Sequence, residues 1–345
     1  MADVVRQIAA AIASRTPFLI STPNLHFLVT SQTDAEFRAS LSLSDVCTAD
    51  GMPLVWLSRL LGIPIRERVA GADVFEALKK NVNGPVRVFL FGGAEGLAAA
   101  ACERINSESQ SLTCVGSIFP GFVDVDEMSS DSIFETINAS KADFLLAALG
   151  AKKGQKWLLR NHERIRTPVR AHLGATIGFQ AGHLQRAPVY LQKLGLEWLW
   201  RIKEEPHLWS RYWNDGWGFL RLLLTRVLPL IATSKFLEIR WRKEASLSID
   251  QSEDQSSVIL RLKGFATAKN IEKATAVFEA AMLAKKDIVI NLRDSRLVDA
   301  RFLGLLCVLD KELGKQRLRA KLADVPRPIR LIMRLSGFEF LQRHQ

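Results

Sequence analysis

The chain has four cysteines in 345 residues, and no two of them form a Cys-x-x-Cys pair. Neither a zinc ribbon nor a dithiol redox motif is therefore written into it. Cys47, Cys102, Cys114 and Cys307 lie scattered along the chain. They read as reduced, mostly buried thiols of a cytosolic protein, not as a disulfide framework. The six histidines fall into no ligand spacing, so no metal is expected. Long apolar runs are missing too. Met1 to Leu19 has an apolar helical face (Val4, Val5, Ile8, Ile12) but carries Asp3, Arg6 and Arg15. Its uninterrupted apolar run is too short for a signal peptide, and no export is expected. Phe219 to Ile231 is apolar but is broken by Arg221, Arg226 and Pro229. It is too short and too charged to span a bilayer.

What is present is a globular composition, 48% hydrophobic and 24% charged, in a length that suits two domains. The formal net charge of +11 favours an anionic partner: a phosphate-bearing substrate, an acidic membrane surface or nucleic acid. From Pro17 to about Ala181, β-like runs alternate with helical patterns. Strands are expected at Phe18–Thr22, Val46–Ala49, Val86–Phe91, Thr113–Ile118 and Ala142–Ala147. Between and after them come helices at Asp34–Leu41, Pro53–Leu61, Asp73–Asn81, Leu97–Ile105, Ser130–Ser140 and Gln155–Glu163. Alternation at this spacing predicts an α/β fold, a Rossmann-like parallel sheet with helices on both faces. Ligands of such sheets bind beyond the carboxyl ends of the strands.

The motifs fall at those ends. Ser44 to Gly51 closes with Asp50-Gly51, an acid in a turn between a short strand and a helix. Alone it is only a turn, but Thr22-Pro23-Asn24 precedes it and Arg68 to Asp73 follows. Gly92-Gly93, with Gly96, joins a strand to a helix. Such a turn lets backbone approach a phosphate; a tight turn without a ligand is the alternative. Its spacing is not the dinucleotide fingerprint, and no cofactor is expected. Asp124-Val125-Asp126 has the look of a metal-holding Asp-x-Asp, but it follows Pro120-Gly121 and reads as a solvated acidic loop. Residues 196–243 concentrate Trp and Arg, including Trp209, Trp213, Arg201 and Arg211. That mixture suits the headgroup layer of an anionic membrane. A core helix with snorkelling arginines is the alternative. Nothing resembles a nucleic-acid recognition module, and no nucleic-acid partner is expected.

In their order, Thr22/Asn24, Asp34 to Arg38, Asp45 to Gly51, Arg68/Gly71/Asp73, Phe89 to Gly93, Gly116 to Gly121, Leu149-Gly150 and Gly174 to Trp209 resemble the WecG/TagA/CpsF glycosyltransferase family over residues 1 to about 225. The resemblance implies a cytoplasmic enzyme, peripheral on the inner face of a bacterial cell membrane. It would be inverting and metal-independent, moving an N-acetylmannosamine-type or related sugar from a UDP-sugar to a polyprenyl-diphosphate-linked acceptor. Asp50 falls on the family's proposed general base, and Thr22 and Asn24 on a polar pair in the same pocket. Gly51, Arg68, Gly71, Asp73, Gly92, Gly93, Gly150, Lys153 and Gln155 are the further substrate-binding candidates. Arg201 and Arg211 would reach the lipid diphosphate, with Trp209 and Trp213 at the membrane. One departure stands out. Where the family has Pro-Lys-Gln-Glu with an active-site Gln, this chain reads Lys152-Lys153-Gly154-Gln155. Its Gln position is Gly154, or Gln155 after a one-residue shift. An acid common before Phe179 is also replaced, by Gly178.

The sequence divides into a glycosyltransferase domain (1–195), a basic Trp-rich appendage and linker (196–243) and a small α/β domain (244–345). Strands at Val258–Leu262, Asp287–Leu292 and Leu318–Ala323 alternate there with helices at Ala268–Ala284, Ala300–Leu313 and Ile329–Leu335. This domain resembles a STAS domain. The loop Asp299 to Gly304 lacks that family's phosphorylatable serine. The implied role is a protein partner or self-association, with a structural appendage as the alternative. A second function stays open beside the transferase: a non-catalytic sugar-nucleotide or lipid-binding regulator acting through the STAS-like domain.

Overall fold

A computed structural model describes residues 1–81 and 85–342. The chain divides into two units, residues 1–58 with 64–216 and residues 59–63 with 217–345.

The first unit is built on six strands: β1 (Phe18–Ser21), β2 (Val46–Cys47), β3 (Val86–Gly92), β4 (Leu112–Ile118), β5 (Phe144–Ala148) and β6 (Val169–His172). They pair in the order β2-β1-β6-β5-β3-β4, every pair parallel. Successive residues of a strand point to opposite faces, and the core follows that period. Val86, Val88 and Leu90 of β3 join one apolar cluster, while Phe89 and Phe91 join another. The first cluster is covered by α1 (Ala2–Ser14), α5 (Gly71–Asn81) and α6 (Leu97–Glu108), through Ile8, Phe75 and Ile105. The second lies under α7 (Asp131–Ala139) and α8 (Ala151–Arg160). There Trp157 stacks on Phe91 at 4.3 Å and on Phe134 at 5.9 Å, and its indole N–H donates to the Met128 carbonyl. The expected α/β fold with helices on both faces is what the chain forms.

Shorter helices ring the strand ends: α2 (Leu25–Ser31), α3 (Ala35–Leu43), α4 (Met52–Leu60), α9 (Thr176–Gln180), α10 (Val189–Leu194) and α11 (Glu197–Glu204). Asn24 caps α2 by accepting from Phe27 N–H, and Asp34 caps α3 by accepting from Phe37 N–H. Helix α12 (Trp209–Leu222) carries the chain from the first unit into the second.

The second unit has a four-stranded sheet of order β10-β9-β8-β7, with β7 (Leu247–Glu253), β8 (Ser257–Ala266), β9 (Asp287–Val298) and β10 (Ala320–Ala323). The β7–β8 hairpin is antiparallel and the other pairs are parallel. Helices α13 (Leu228–Arg240), α14 (Ile271–Met282), α15 (Ala300–Lys315) and α16 (Arg327–Ser336) pack their apolar residues into one core. Asp299 is the cap of α15: one carboxylate oxygen accepts from Phe302 N–H and the other from Ala268 N–H.

The cysteine expectation needs correcting. Cys102 and Cys114 form a disulfide, because α6 runs directly back to β4 and brings the two together. The remaining thiols are not deeply buried: Cys47 is exposed and Cys307 partly so. No described helix is long and apolar enough to cross a membrane.

Candidate active site

A cavity of about 580 Å³ opens at the carboxyl ends of β1 and β6. Of the residues singled out in the sequence, Thr22, Asn24, Asp50, Gly51, Arg68, Gly71, Gly150, Arg201 and Arg211 line it. Backbone pairing draws the separate motifs together. Thr48 N–H donates to Ser21 O, Asp50 N–H to Pro23 O, and Val69 N–H to Ala49 O. The stretches around 22, 50 and 70 thus form one wall. Glycine at 71 lets these segments pack closely. A Cβ on it would fall 2.6 Å from Leu173 Cδ2 and 3.3 Å from Thr22 Oγ1.

Asp50 sits at that wall, partly open to the cavity and otherwise enclosed. Enclosure pushes its carboxyl up to about 7, with Glu197 and Asp73 adding to the rise. Arg68 and a hydrogen bond from Gly71 N–H, at the start of α5, oppose it. Loss of hydration outweighs the nearby cation and the single backbone hydrogen bond.

The cations of the cavity are already engaged. Arg68 pairs with Glu197 and, at 3.1 Å, with Asp73. Arg186 reaches Asp73 at 2.6 Å and Glu197 at 3.9 Å. Asp73 therefore acts behind the cavity wall, orienting two arginines. Arg201 forms an ion pair with Glu205 at 2.5 Å. The Phe179 ring lies between Arg186 and Arg201, at 5.6 and 5.5 Å. Arg211 lies over the Tyr212 ring at 5.0 Å.

Other candidates fall elsewhere. Gly93 and Lys153 line a second cavity of about 250 Å³, which Gly150 shares with the first. Gly92 lines neither cavity, and Gly93 N–H is tied to Ala148 O at 2.8 Å. The stretch 152–155 lies within α8, which starts at Ala151, four residues before the expected helix start at Gln155. Its lysines are spent on protein groups: Lys152 pairs with Asp34 at 2.7 Å, and Lys153 donates to Val123 O. Gln155 is fully buried beneath β1, accepting from Ser21 Oγ at 3.1 Å, and lines neither cavity. Trp209 and Trp213 are exposed on α12, outside the cavity. Asp126 is solvated and paired with Arg160, and among the described residues no cluster of three metal-ligating side chains occurs.

Sequence reasoning missed several lining groups. Strand β6 went unseen because Arg170 interrupts it. That guanidinium is buried, pulled down to about 10 by desolvation, and donates to the carbonyls of His162, Ile165 and Thr167. With β6 unseen, His172 at its end went unseen. The pair His26 Nδ1–Asp215 Oδ1, at 3.0 Å, joins residues too far apart in sequence to signal each other.

An open parallel sheet, with a cleft beyond its strand ends and a carboxylate titrating near neutrality, is the frame of an α/β enzyme. Residues 1–231 match the model of the glycosyl transferase WecG/TagA/CpsF family, and the chain belongs to that family. It is 28% identical over 193 residues to an N-acetylglucosaminyldiphosphoundecaprenol N-acetyl-beta-D-mannosaminyltransferase of Bacillus spizizenii, covering 56% of this chain and 73% of that one. To the enzyme of the same name from Bacillus subtilis it is 27% identical over 194 residues, covering 56% and 74%. Among solved structures, the unphosphorylated anti-sigma factor antagonist SpoIIAA is similar to 28% of this chain over 85% of its own length, at 19% identity and a TM-score of 0.25.

Proposed function

We propose that the chain moves an N-acetylmannosamine-type sugar from a UDP-sugar to a polyprenyl-diphosphate-linked acceptor, inverting the anomeric centre without a metal, in bacterial cell-surface or exopolysaccharide synthesis. The acceptor and sugar classes are those named for the two Bacillus relatives. The observation that carries the chemistry is Asp50, a cavity carboxylate raised to about 7. A base of that strength is ionised in good part at neutral pH and still holds a proton well, the compromise general-base catalysis favours. The acceptor hydroxyl gives its proton to Asp50 as its oxygen attacks the anomeric carbon. The bond to the nucleotide diphosphate breaks on the opposite side, through a transition state of oxocarbenium character. Arg211 supplies positive charge for the diphosphates, and Arg68, Arg186 and Arg201 supply more when an incoming phosphate competes with Asp73, Glu197 and Glu205.

Turnover of UDP-N-acetylmannosamine with a polyprenyl-diphosphate-N-acetylglucosamine acceptor tests the assignment. Asp50→Asn keeps donor binding and loses roughly 10²-fold or more in turnover. In the wild type, kcat/KM rises with pH and levels off above about 7, because the base must be ionised. Unchanged turnover in Asp50→Asn removes Asp50 from the mechanism.

We further place the enzyme on the inner, cytoplasmic face of the cell membrane. Trp209, Trp213 and Trp217 recur every fourth residue of α12, and all three are exposed, an arrangement suited to the interfacial layer. The full chain should float with vesicles containing phosphatidylglycerol at low salt, less so at high salt, and less with Trp213→Ala and Trp217→Ala combined. Failure of the wild type to float at low salt sinks this placement.

A further inference from the structure

His172 ends β6 and lines the main cavity, yet it is 4% exposed and its Nε2 has no hydrogen-bond partner among the described residues. Buried polar groups almost always find a partner, and one left without costs free energy. The ring is packed between two glycines. A Cβ on Gly154 would fall 2.1 Å from His172 Cδ2 and 2.8 Å from Nε2, and one on Gly174 would fall 3.4 Å from Cε1. Gly154 lies inside α8, where glycine is unfavourable by about 1 kcal/mol relative to alanine. The chain therefore accepts two separate costs at one place, a glycine inside a helix and an unpartnered ring nitrogen. An apolar side chain at 172 would remove the second.

We propose that His172 is a specificity-determining contact for the transferred sugar: the ring takes the room that Gly154 leaves and meets an uncharged hydroxyl or N-acyl group at the cavity wall. The inference rests on the reading of the donor as a UDP-sugar. Burial pulls the imidazole down to about 4, so at neutral pH the ring is uncharged. A neutral imidazole offers one donor and one acceptor, which suits a hydroxyl or an amide. The same cavity holds Arg68, Arg186, Arg201 and Arg211 for the diphosphate, so His172 is not needed for charge. A side chain at 154 would meet the imidazole, which from β6 fills that place.

Calorimetric titration with UDP, UDP-N-acetylglucosamine and UDP-N-acetylmannosamine tests it on the full chain. The wild type should bind at least one UDP-sugar more tightly than UDP. His172→Ala should reduce that advantage by about tenfold or more, the scale for a site hydrogen bond left unmade, with affinity for UDP within about twofold of wild type. His172→Gln, which keeps a donor and an acceptor, should recover most of the advantage. Gly154→Ala should lose it as His172→Ala does, because its Cβ displaces the ring. For a measurement independent of the variants' folding, the ring ¹⁵N resonances of wild-type His172 should shift with the UDP-sugar and not with UDP. Equal losses for UDP and UDP-sugar would place His172 on the nucleotide and overturn the proposal. So would an unchanged advantage, or a wild type with no preference for a UDP-sugar. A wild type that binds none of the three overturns the donor reading itself, a result distinct from these.

Discussion

In the second unit the buried polar side chains among the described residues are Ser257 and Ser295, and both are bonded, Ser257 to Asp254 and Ser295 to the Leu262 carbonyl. All the other fully buried polar and charged side chains belong to the first unit. Two of those carry an atom without a hydrogen bond among the described residues, Gln155 Nε2 and His172 Nε2, and so does the partly exposed Arg186, at its Nε. The second unit's counterpart is Ser336 Oγ, at the end of α16. One unit therefore spends its interior on apolar packing, with Phe278, Phe302, Ile332 and Met333 in a single core. The other keeps enclosed carboxylate, imidazole and guanidinium groups around a cavity. Enclosed polar groups reduce stability unless they are satisfied, and chains retain them where chemistry needs them.

The largest test of that contrast is in the apolar core. Phe302 is fully buried and meets Phe278 edge-on at 6.2 Å. Phe302→Ala should cost about 3–5 kcal/mol, read from urea unfolding of the full chain. Below the unfolding transition, affinity for a UDP-sugar should stay within about twofold of wild type. Weaker binding in the folded baseline would mean that the second unit shapes the site, and the division of labour would fail.

The parallel sheet and its two helical faces were legible because β3 and β5 are long apolar runs, and buried central strands read that way. The wall around Asp50 was legible for a related reason. Short polar segments at strand ends are where α/β sheets bind ligands, and backbone pairing of those segments brings 22, 50 and 70 together. What stayed hidden depended on burial that sequence does not display. Arg170 reads as a solvent-facing charge, yet its donors are consumed by carbonyls of the loop before it. Cys102 and Cys114, twelve residues apart, read as unrelated thiols until the helix-to-strand return pairs them. The expected helix starts only at Gln155, whereas α8 already includes Lys152 to Gly154, and only the packing of His172 against Gly154 shows why glycine stands there.

Asp50 allows the contrast to be sharpened at the site itself. Its carboxyl titrates at about 7 in the folded chain against 3.8 as the ordinary value. Below about pH 4 both folded and unfolded chains hold the proton. Between about 4 and 7 the folded chain still holds a proton that the unfolded chain has lost. Stability therefore falls as pH rises through this window and levels off above it. A shift of this size corresponds to about 4 kcal/mol at full value. With part of the group open to cavity water, about half of that is the reasonable expectation. Asp50→Asn cannot ionise and keeps an acceptor for Gly71 N–H. It should match the wild type near pH 4.5 and exceed it by roughly 2 kcal/mol at pH 8, measured by urea unfolding at both values. A variant that loses turnover while gaining stability only at the higher pH ties the two effects to one ionisation. If the gain were equal at both pH values, the cause would be altered packing, and Asp50 would no longer illustrate a group kept charged at the expense of the fold.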